Sequence, residues 1–491
     1  MSLPIPLERG GELTLQEQIY RFIRDQVLSG RYKSGLQLPS TRELADGLKV
    51  SRNTTVLAYQ WLASEGYIET KQGAGTFTRR VIPDAVKVVA SSSNSDVPGE
   101  RPAIALQVEA PLQVDDIRAR PQFDFWYGRA DPRQFPTKIW AKFVSESLAF
   151  ARSSLTDYAP QAGLPELREA IGGYLATAKG MIAPPDRILI TAGAQDGLNV
   201  IARLLIEQGD TVAIENPGYR AAAMVFRSAG AVMAPVAVDD EGLVPSELAA
   251  TCAKLVYTTP SHQFPTGVVM SLERRQALLA TAEKLNAYII EDDYDGEIIY
   301  DRPPLAALAA LDRHRRVIYV GSFSKSIGAG IRIGFLVLPP ELMPWATAIK
   351  SLASYGQPWT EQAALAAFIR DGNFRTHLRR IRTLYRTRRD ALIEVLREWL
   401  GAEAEITGSD SGLHLVVRLP PAFPGAIEIS QIARSLDIAL YTPTQAGAIE
   451  AEAEQPDERR LVLGYASLAP EEIRSAIRRV ARAVPARHAS L

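Results

Sequence analysis

Cysteine is almost absent from this chain of 491 residues, which holds Cys252 alone. A single cysteine cannot form a disulfide within the chain, so the sequence fits a reducing compartment. No apolar run approaches the roughly 20 residues that a membrane-spanning helix needs. The first residues also lack the cationic start and apolar core of a signal peptide. We therefore expect no disulfide framework, no targeting signal and no membrane span.

A large excess of charge of one sign is missing as well. The chain has 55 basic and 56 acidic side chains, a net charge of −1. Residues 1–80 differ slightly, with eleven basic and eight acidic side chains and a local charge of +3. An apolar content of 46% excludes a wholly disordered chain. The length exceeds what one small core needs and indicates two or three domains.

Three regions can be distinguished along the chain. Residues 1–80 form a compact domain, and residues 81–121 are rich in Ser, Pro and Gly without sustained periodicity, which predicts a flexible linker. Residues 122–491 alternate apolar β-type runs with amphipathic stretches, which predicts an α/β domain with a mostly parallel sheet and a smaller C-terminal α+β lobe. The runs are residues 187–193, 211–217, 254–260, 287–293, 316–322 and 333–339.

The N-terminal region reads as three helices followed by a hairpin. A first helix ends at Gly30, and Ser40 with Glu43 forms a capping box that starts a second helix near Thr41. Ser51 caps a third helix, and two β-type segments follow it around Gly73 and Gly75. The inward faces of the first and third helices are predicted to hold Ile19, Phe22, Ile23 and Val27, and Val56, Tyr59 and Leu62. This order of elements is that of a winged helix-turn-helix.

The start of the third helix carries side chains suited to DNA. Arg52 has two donors for guanine, Asn53 suits adenine, and helix N-termini and hydroxyls suit phosphate. The stretch "LPSTRELA…VSRNTTVLAYQWLASEGYIETKQGAGTF" resembles the GntR family of bacterial regulators, which bind operator DNA. The DNA-binding residues expected from the chemistry and the resemblance are Arg42, Ser51, Arg52, Asn53, Thr54 and Gly73. A small helical dimerisation module is the alternative interpretation.

The large region carries what pyridoxal 5'-phosphate (PLP) needs from a protein: an amine, a carboxylate, an aromatic face and donors for its phosphate. Lys325 would form the Schiff base, Asp292 would pair with the ring nitrogen, and Tyr219 would stack on the ring. Tyr294 would reach the ring hydroxyl. The phosphate would be held by Gly193, Ala194 and Gln195 at a strand-to-helix turn and by Ser322, Ser324 and Arg332. No metal is expected.

In order, the motifs "YAPQAGLPELREAI", "TAGAQ", "NPGY", "SHQFPTG", "EDDYDGE" and "SFSKSIGAGIRIG" resemble the fold-type I aminotransferases. Together with the N-terminal match, the chain resembles the MocR/PdxR subfamily of GntR-type bacterial regulators. That resemblance implies a cytoplasmic homodimer with domains exchanged head to tail, PLP in the large domain and operator DNA on the small one.

Two positions depart from the aminotransferase pattern. Phe264 stands where those enzymes place an asparagine beside the ring hydroxyl, and either His262 or Gln263 is available as a substitute. Val462 stands where an arginine holds the substrate carboxylate. Arg460, two residues earlier on the same strand face, is either a replacement or a solvent-facing charge.

Three functions remain open from the sequence. The first is a regulator that senses PLP itself, or an amine or amino acid, and changes its operator binding without physiological turnover. The second is an active aminotransferase that carries a DNA-binding domain. The third is a fold that no longer binds PLP and serves dimerisation, against which the set of Lys325, Asp292, Tyr219 and Arg332 argues.

Overall fold

The computed structural model describes residues 3–10, 13–79, 120–151, 156–301, 303, 305–402, 404–449 and 459–484. The chain divides into two compact units, Met1–Gly99 and Glu100–Leu491. The predicted linker falls almost wholly on residues 80–119, which lie outside the described residues. Among the helices described, none is long and apolar enough to cross a bilayer.

The N-terminal unit is a winged helix-turn-helix, as predicted. Its elements are α1 (Leu15–Leu28), β1 (Gln37–Leu38), α2 (Thr41–Leu48), α3 (Arg52–Ser64), β2 (Ile68–Lys71) and β3 (Gly75–Thr78). The strands form an antiparallel sheet in the order β1-β3-β2, so the hairpin gains a third, short strand. Its core gathers Ile19, Ile23, Leu44, Ala58, Leu62 and Ile68.

One inward position of α3 was predicted wrongly. Val56 is half-buried, whereas Tyr59 and Leu62 are buried as predicted, together with Thr55 and Ala58. Thr55 is tolerated there because its hydroxyl donates to the carbonyl of Thr41 at 2.8 Å. The four buried residues have the spacing i, i+3, i+4, i+7 of one helix face. The Thr55 hydrogen bond links this face of α3 to the start of α2.

The large unit is built on an eight-stranded sheet in the order β5-β13-β12-β11-β10-β6-β8-β9. The pairs from β12 to β8 are parallel, and β13 and β9 run antiparallel to their neighbours. The strands are β5 (Ile188–Thr191), β6 (Thr211–Asn216), β8 (Val232–Asp239), β9 (Gly242–Leu243), β10 (Leu255–Thr258), β11 (Tyr288–Asp293), β12 (Val317–Ser322) and β13 (Gly334–Val337). Five of them are buried along almost their whole length because helices cover both faces.

The helices around this sheet are α4 (Thr137–Ala149), α5 (Pro165–Ala178), α6 (Ala194–Leu205), α7 (Arg220–Ser228), α8 (Pro245–Leu248), α9 (Leu272–Lys284), α10 (Leu308–Leu311), α11 (Met343–Ser354), α12 (Trp359–Arg370) and α13 (Asn373–Leu400). A smaller C-terminal lobe follows, with β14 (Glu405–Thr407), β15 (His414–Arg418), α14 (Ala426–Ser435), β18 (Arg460–Gly464) and α15 (Pro470–Ala483). Its three strands form a separate antiparallel sheet.

Short strands join the lobe to the large sheet region. β4 (Phe123–Asp124) pairs with β16 (Ile438–Ala439), and β7 (Gly218–Tyr219) pairs with β17 (Ala448–Ile449). The segment after β4 and the Tyr219 loop are therefore held at the boundary between the lobe and the carboxyl ends of the parallel strands. In sheets of this kind, ligands bind at that edge.

Candidate functional site

A cleft with an empty volume of about 710 Å³, part of it open to solvent, lies at the carboxyl ends of β5, β10, β11 and β12. We call it the central cleft. Most of the residues that the sequence predicts for PLP line it: Ala194, Gln195, Tyr219, Asp292, Tyr294, Ser322, Ser324, Lys325 and Arg332. Gly193 contacts Arg332 at its edge, and His262 lies behind Tyr294.

Lys325 lies on a one-turn π-helix, Ser324–Gly328, that directly follows β12. Its Nζ donates to the carbonyl of Gly128 at 2.8 Å and lies 5.8 Å from the centre of the Tyr127 ring. Burial lowers the pKa of the Lys325 amine, although the charges of Asp295 and Asp292 raise it. The amine therefore loses its proton more readily than a surface lysine, and a neutral amine is the form that attacks a carbonyl.

Asp292 ends β11 with an incompletely satisfied carboxylate. Its Oδ2 accepts from the Tyr257 hydroxyl at 2.7 Å, whereas its buried Oδ1 has no partner among the described residues. Burial raises the pKa of Asp292 to about 7, against the Tyr257 hydrogen bond, which lowers it. A buried acceptor without a donor is costly, so this oxygen is suited to a donor that a ligand brings.

The opposite side of the cleft offers groups for an anion. The first turn of α6 presents backbone N–H groups without helical partners, and the positive end of the helix dipole lies there. Gly193, with φ of +96°, lets Arg332 approach closely, since a Cβ at this position would lie 3.1 Å from Nη2 of Arg332. Ser322 donates through Oγ to Oγ of Ser324 at 3.0 Å, which places both hydroxyls at the same wall.

Aromatic side chains enclose the space between these two ends. Tyr219 and Phe264 meet edge to face with ring centres 5.7 Å apart, and Tyr127 lies 4.6 Å from Phe264. Burial raises the pKa of Tyr219 to about 12, so its hydroxyl stays protonated at neutral pH. Tyr127, Tyr257 and Thr259 line the cleft and were not identified from the sequence. The position of Tyr257, one residue before the end of a buried strand, is the only signal the sequence offers for it.

The "HQFPTG" loop places neither His262 nor Gln263 in the wall of the central cleft. Gln263 is used inside the loop, where it donates to the carbonyl of Pro217 at 2.8 Å and accepts from the Thr266 hydroxyl at 2.7 Å. His262 Nδ1 lies 3.0 Å from Asp295 Oδ2 and 3.2 Å from the hydroxyl of Tyr294. His262 is therefore linked to the cleft through the hydroxyl of Tyr294.

A fully buried cluster surrounds this histidine. It consists of His262, Asp295 and His414. One ring nitrogen of each histidine and one carboxylate oxygen of Asp295 all lie within 4.8 Å of one another. Gly412 lines it so closely that a Cβ there would lie 2.1 Å from the His262 ring. The glycine is required because φ is +78° and the ring and the carboxylate fill the space beside it. The cluster fixes the Tyr294 side of the cleft.

Arg460 lies apart from the central cleft. It begins β18 and lines a separate surface pocket together with Glu405 and Arg418. Val462 is completely buried and packs in a cluster with Phe264 and Tyr441. The structure thus does not bring Arg460 to Lys325.

The predicted DNA-binding residues lie at the start of α2, at the start of α3 and in the turn between β2 and β3. Arg42, Ser51, Arg52, Asn53 and Gly73 are exposed, and Thr54 is half-buried. Ser51 caps α3 through its hydroxyl, which accepts from the backbone N–H of Thr54 at 3.2 Å. Arg42 and Arg52 make no ion pair within the described part of the chain, so both charges face solvent.

The donor set of the central cleft fits PLP. The partnerless Oδ1 of Asp292 suits the N–H of a protonated pyridine ring, and Lys325 supplies the amine. Tyr219 and Phe264 supply aromatic faces, and α6 with Arg332 supplies the anion donors. These are the groups that the chemistry of this cofactor requires.

Comparisons with known proteins match each of the two units to a known protein family. Residues 15–78 match the model of the bacterial regulatory proteins of the gntR family, and residues 128–481 match that of aminotransferase class I and II. The chain is 32% identical over 482 residues to the probable rhizopine catabolism regulatory protein MocR of Rhizobium meliloti, covering 96% of this chain and 94% of that protein. It is 31% identical over 419 residues to the pyridoxine biosynthesis transcriptional regulator PdxR of Corynebacterium glutamicum, covering 85% and 86%.

Among solved structures, the kynurenine aminotransferase of Pyrococcus horikoshii, described in complex with PMP, is similar with a TM-score of 0.70 and 27% identity. The match covers 79% of this chain and 97% of that one. The large unit therefore has the fold of the PLP-dependent aminotransferases.

Proposed function

Because the chain belongs to the MocR/PdxR subfamily of GntR-type transcription regulators, we propose that it binds operator DNA through its winged unit and holds PLP in the central cleft. Lys325 is the residue that would hold the cofactor covalently, and Asp292 the one that would hold the ring nitrogen. The observation that carries the proposal is the buried Oδ1 of Asp292, which lacks a donor in the same cleft as a lysine of lowered pKa.

Each residue that we propose for the cofactor site has its own role. When bound, PLP supplies a carbonyl carbon that reacts with amines and a ring that withdraws electrons from it. Arg332 and the first turn of α6 would neutralise the phosphate. Tyr219 and Phe264 would exclude water from the ring faces, and Tyr294 would present a hydroxyl that is held by His262. Asp292 would keep the proton of the ring nitrogen in place.

We propose that the bound cofactor, or an amino compound that reaches it, changes the affinity for operator DNA. A ligand can do so only if it binds one arrangement of the protein better than another. A homodimer, with two winged units on one DNA, would double the phosphate contacts and raise the effective concentration. The proposal does not require turnover.

The test separates the two activities. Lys325→Ala should abolish covalent PLP attachment, measured by intact mass after borohydride reduction, and should leave the DNA affinity of the cofactor-free protein unchanged. Lys284→Ala, at an exposed lysine of α9, serves as the control. The proposal fails if the wild-type protein takes up no PLP, or if PLP and amines leave its DNA affinity unchanged.

Arg52→Ala addresses the DNA interface. Removing an arginine that reads a base should cost about 1–3 kcal/mol of operator affinity, whereas loss of a phosphate contact should mainly reduce the salt dependence. Fluorescence anisotropy at several salt concentrations on a selected operator measures both. Arg21→Ala, at an exposed arginine of α1, is the matched control and should bind the operator like the wild type. Unchanged affinity and salt dependence for Arg52→Ala would exclude this residue from the interface.

An active aminotransferase is the second candidate, supported by the intact amine, carboxylate and anion donors of the cleft. The positions of Phe264 and Val462 count against it. Steady release of a keto acid from an amino acid by the PLP-loaded chain would establish it.

A further inference from the structure

Tyr294 joins the central cleft to the buried histidine behind it. Its side chain lines the cleft, and among the described residues His262 is the only hydrogen-bond partner of its hydroxyl, with Nδ1 3.2 Å away. Burial raises the pKa of Tyr294 well above its usual value, so the hydroxyl keeps its proton at neutral pH. The direction in which this proton points depends on whether Nδ1 of His262 carries a hydrogen or a lone pair.

Asp295 distinguishes these two states of His262. Its Oδ2 lies 3.0 Å from the same Nδ1, and a carboxylate can only accept a hydrogen bond. A lone pair on Nδ1 would leave two acceptors facing each other inside the protein, which is costly. The contact therefore favours the tautomer that carries its hydrogen on Nδ1 and donates it to Asp295.

The other ring nitrogen of His262 agrees with this tautomer. Nε2 is buried and has no hydrogen-bond partner in the described part of the chain. It faces Gly267 and Gly408, where a Cβ would lie 3.2 and 3.4 Å from it. A hydrogen on Nε2 would be a buried donor without an acceptor, which disfavours both the other neutral tautomer and the doubly protonated ring.

His414 does not compete for Asp295. Its ring lies against His262 with the ring centres 4.6 Å apart, and its Nε2 lies 3.2 Å from the carbonyl oxygen of Pro265. Burial, and then the neighbouring His262, lower the pKa of His414 well below its usual value. The ring is therefore neutral at neutral pH, its Nε2–H donates to the Pro265 carbonyl, and the Asp295 carboxylate is left to His262.

We infer that Asp295 and His262 are positioning residues that direct the Tyr294 hydroxyl into the central cleft. Because Nδ1 gives its hydrogen to Asp295, it has no lone pair for Tyr294, whose hydroxyl then donates to a ligand. The inference rests on the proposed function and deepens it, since the ligand atom that suits this donor is the ionised ring oxygen of PLP. Acting through Tyr294, the pair takes the role of the asparagine that Phe264 replaces.

Several other titratable groups lie around this network. Those that act on Tyr294 are Asp295, Tyr127, Asp292 and Glu215, and those that act on His414 are His262 and Lys325. Substitutions at His262 leave all the others in place. A comparison of two substitutions at this one position therefore isolates the donor at Nδ1.

The first test needs no cofactor. In the full chain with isotope-labelled histidine, the nitrogen chemical shifts distinguish a ring with its hydrogen on Nδ1 from one with its hydrogen on Nε2. The signals that disappear in His262→Asn identify His262. We expect the Nδ1–H form in the wild type at neutral pH. The Nε2–H form, or a doubly protonated ring, would overturn the inference.

The second test follows the visible absorption of the bound cofactor against pH in the PLP-loaded full chain. A donor lowers the pKa of the oxygen that it faces. His262→Gln removes Nδ1 and leaves Asp295 without its donor, so the Tyr294 hydroxyl turns to the carboxylate and away from the cleft. The absorption change should then move up by about one pH unit, a tenfold change in proton affinity.

His262→Asn should recover most of the wild-type titration, because its amide nitrogen stands where Nδ1 stands, whereas that of glutamine stands where Nε2 stands. In the Tyr294→Phe background, His262→Gln should cause no further shift. His314→Gln, at an exposed histidine, is the matched control and should titrate like the wild type. Equal titrations of His262→Asn and His262→Gln, or a shift that persists without the Tyr294 hydroxyl, would overturn the inference.

Failure of the proposed function gives a different result. If the wild-type chain takes up no PLP, the proposed function fails, and the assignment of the ring oxygen falls with it. The tautomer of His262 in the cofactor-free chain still decides whether Asp295 and His262 direct the Tyr294 hydroxyl: the Nδ1–H form supports this and the Nε2–H form overturns it.

Discussion

Asp292 illustrates how a single buried carboxylate couples stability to ligand binding. Its pKa is about 7 in the folded chain, against about 3.9 in an unfolded one. Between these values the folded state holds a proton that the unfolded state has released. The stability that this proton supplies is complete below about pH 3.9 and is lost as the pH rises through about 7.

Asp292→Asn should therefore remove this pH-dependent contribution to the stability of the cofactor-free protein. We expect the thermal midpoint of wild type relative to Asp292→Asn to fall between pH 5 and pH 8, with a free-energy change of about 3 kcal/mol. Glu291 and Glu297, whose pKa values are also raised to about 7, titrate equally in both proteins and cancel in the difference. A difference that stays flat across this range would show that Asp292 is ionised in the folded state throughout.

Gly128 is the residue that lets the Lys325 amine take its position. Its φ is +71°, and a Cβ there would lie 2.3 Å from Nζ of Lys325. Gly128→Ala should displace the amine and weaken PLP uptake several-fold, with strain of about 1–2 kcal/mol from the left-handed backbone. Titration of PLP absorbance measures the uptake.

Gly173→Ala is the control for this substitution. Gly173 lies inside α5 with open space around its Cα, so a methyl group meets nothing there and favours the helix. Equal PLP uptake by both variants would mean that the contact between Gly128 and Lys325 has no part in the site.

At this scale the sequence predicts residues whose role follows from their place at a strand end. Lys325, Asp292 and Arg332 were predicted in this way, and the structure brings all three to the central cleft. Tyr127 was not, because its place depends on the pairing of β4 with β16, far along the chain. Arg460 shares a strand face with Val462, yet a two-residue step along a strand spans about 6.6 Å and carries it away from the cleft.

At the scale of the element, α2 depends on its capping box. The Ser40 hydroxyl accepts from the N–H of Glu43 at 3.2 Å, and the Glu43 carboxylate accepts from the N–H of Ser40 at 2.8 Å. Ser40→Ala should destabilise α2 by about 1 kcal/mol. Hydrogen exchange of the amides of α2 in the full chain should then quicken about fivefold.

Ser34→Ala is the comparison, because Ser34 is exposed in the preceding turn. It should leave the exchange of α2 unchanged. If Ser40→Ala also leaves it unchanged, α2 opens only with the whole unit and the cap does not limit its fraying.

The elements themselves could largely be predicted from local pattern. The six apolar runs became β5, β6, β10, β11, β12 and β13. In the winged unit, the capping box of Ser40 and Glu43 starts α2, and the Ser51 cap starts α3. The short strands β4, β7, β16 and β17 have two residues each and no periodic signal, so only tertiary contact defines them. They hold the segments that carry Tyr127 and Tyr219 to the central cleft, which is why the full lining of the cleft could not be foreseen.

At the scale of the whole molecule, the two units are expected to act on each other through ligand and DNA. If an effector changes the affinity for operator DNA by some factor, operator DNA must change the affinity for that effector by the same factor. A typical coupling of 5- to 150-fold corresponds to about 1–3 kcal/mol. The relation holds whichever effector proves to be the natural one.

This reciprocity gives a prediction that does not depend on knowing the arrangement of the units. The effector affinity of the PLP-loaded chain, measured with and without saturating operator, should differ by the same factor as the operator affinity with and without effector. Arg52→Ala should shift the effect of DNA on effector binding to higher operator concentrations, because its operator affinity is lower by about 1–3 kcal/mol, while its effector affinity without DNA stays that of the wild type. A factor of one in both measurements would mean that the effector site and the DNA site are not coupled, and the sensor function would then be excluded even if both molecules bind.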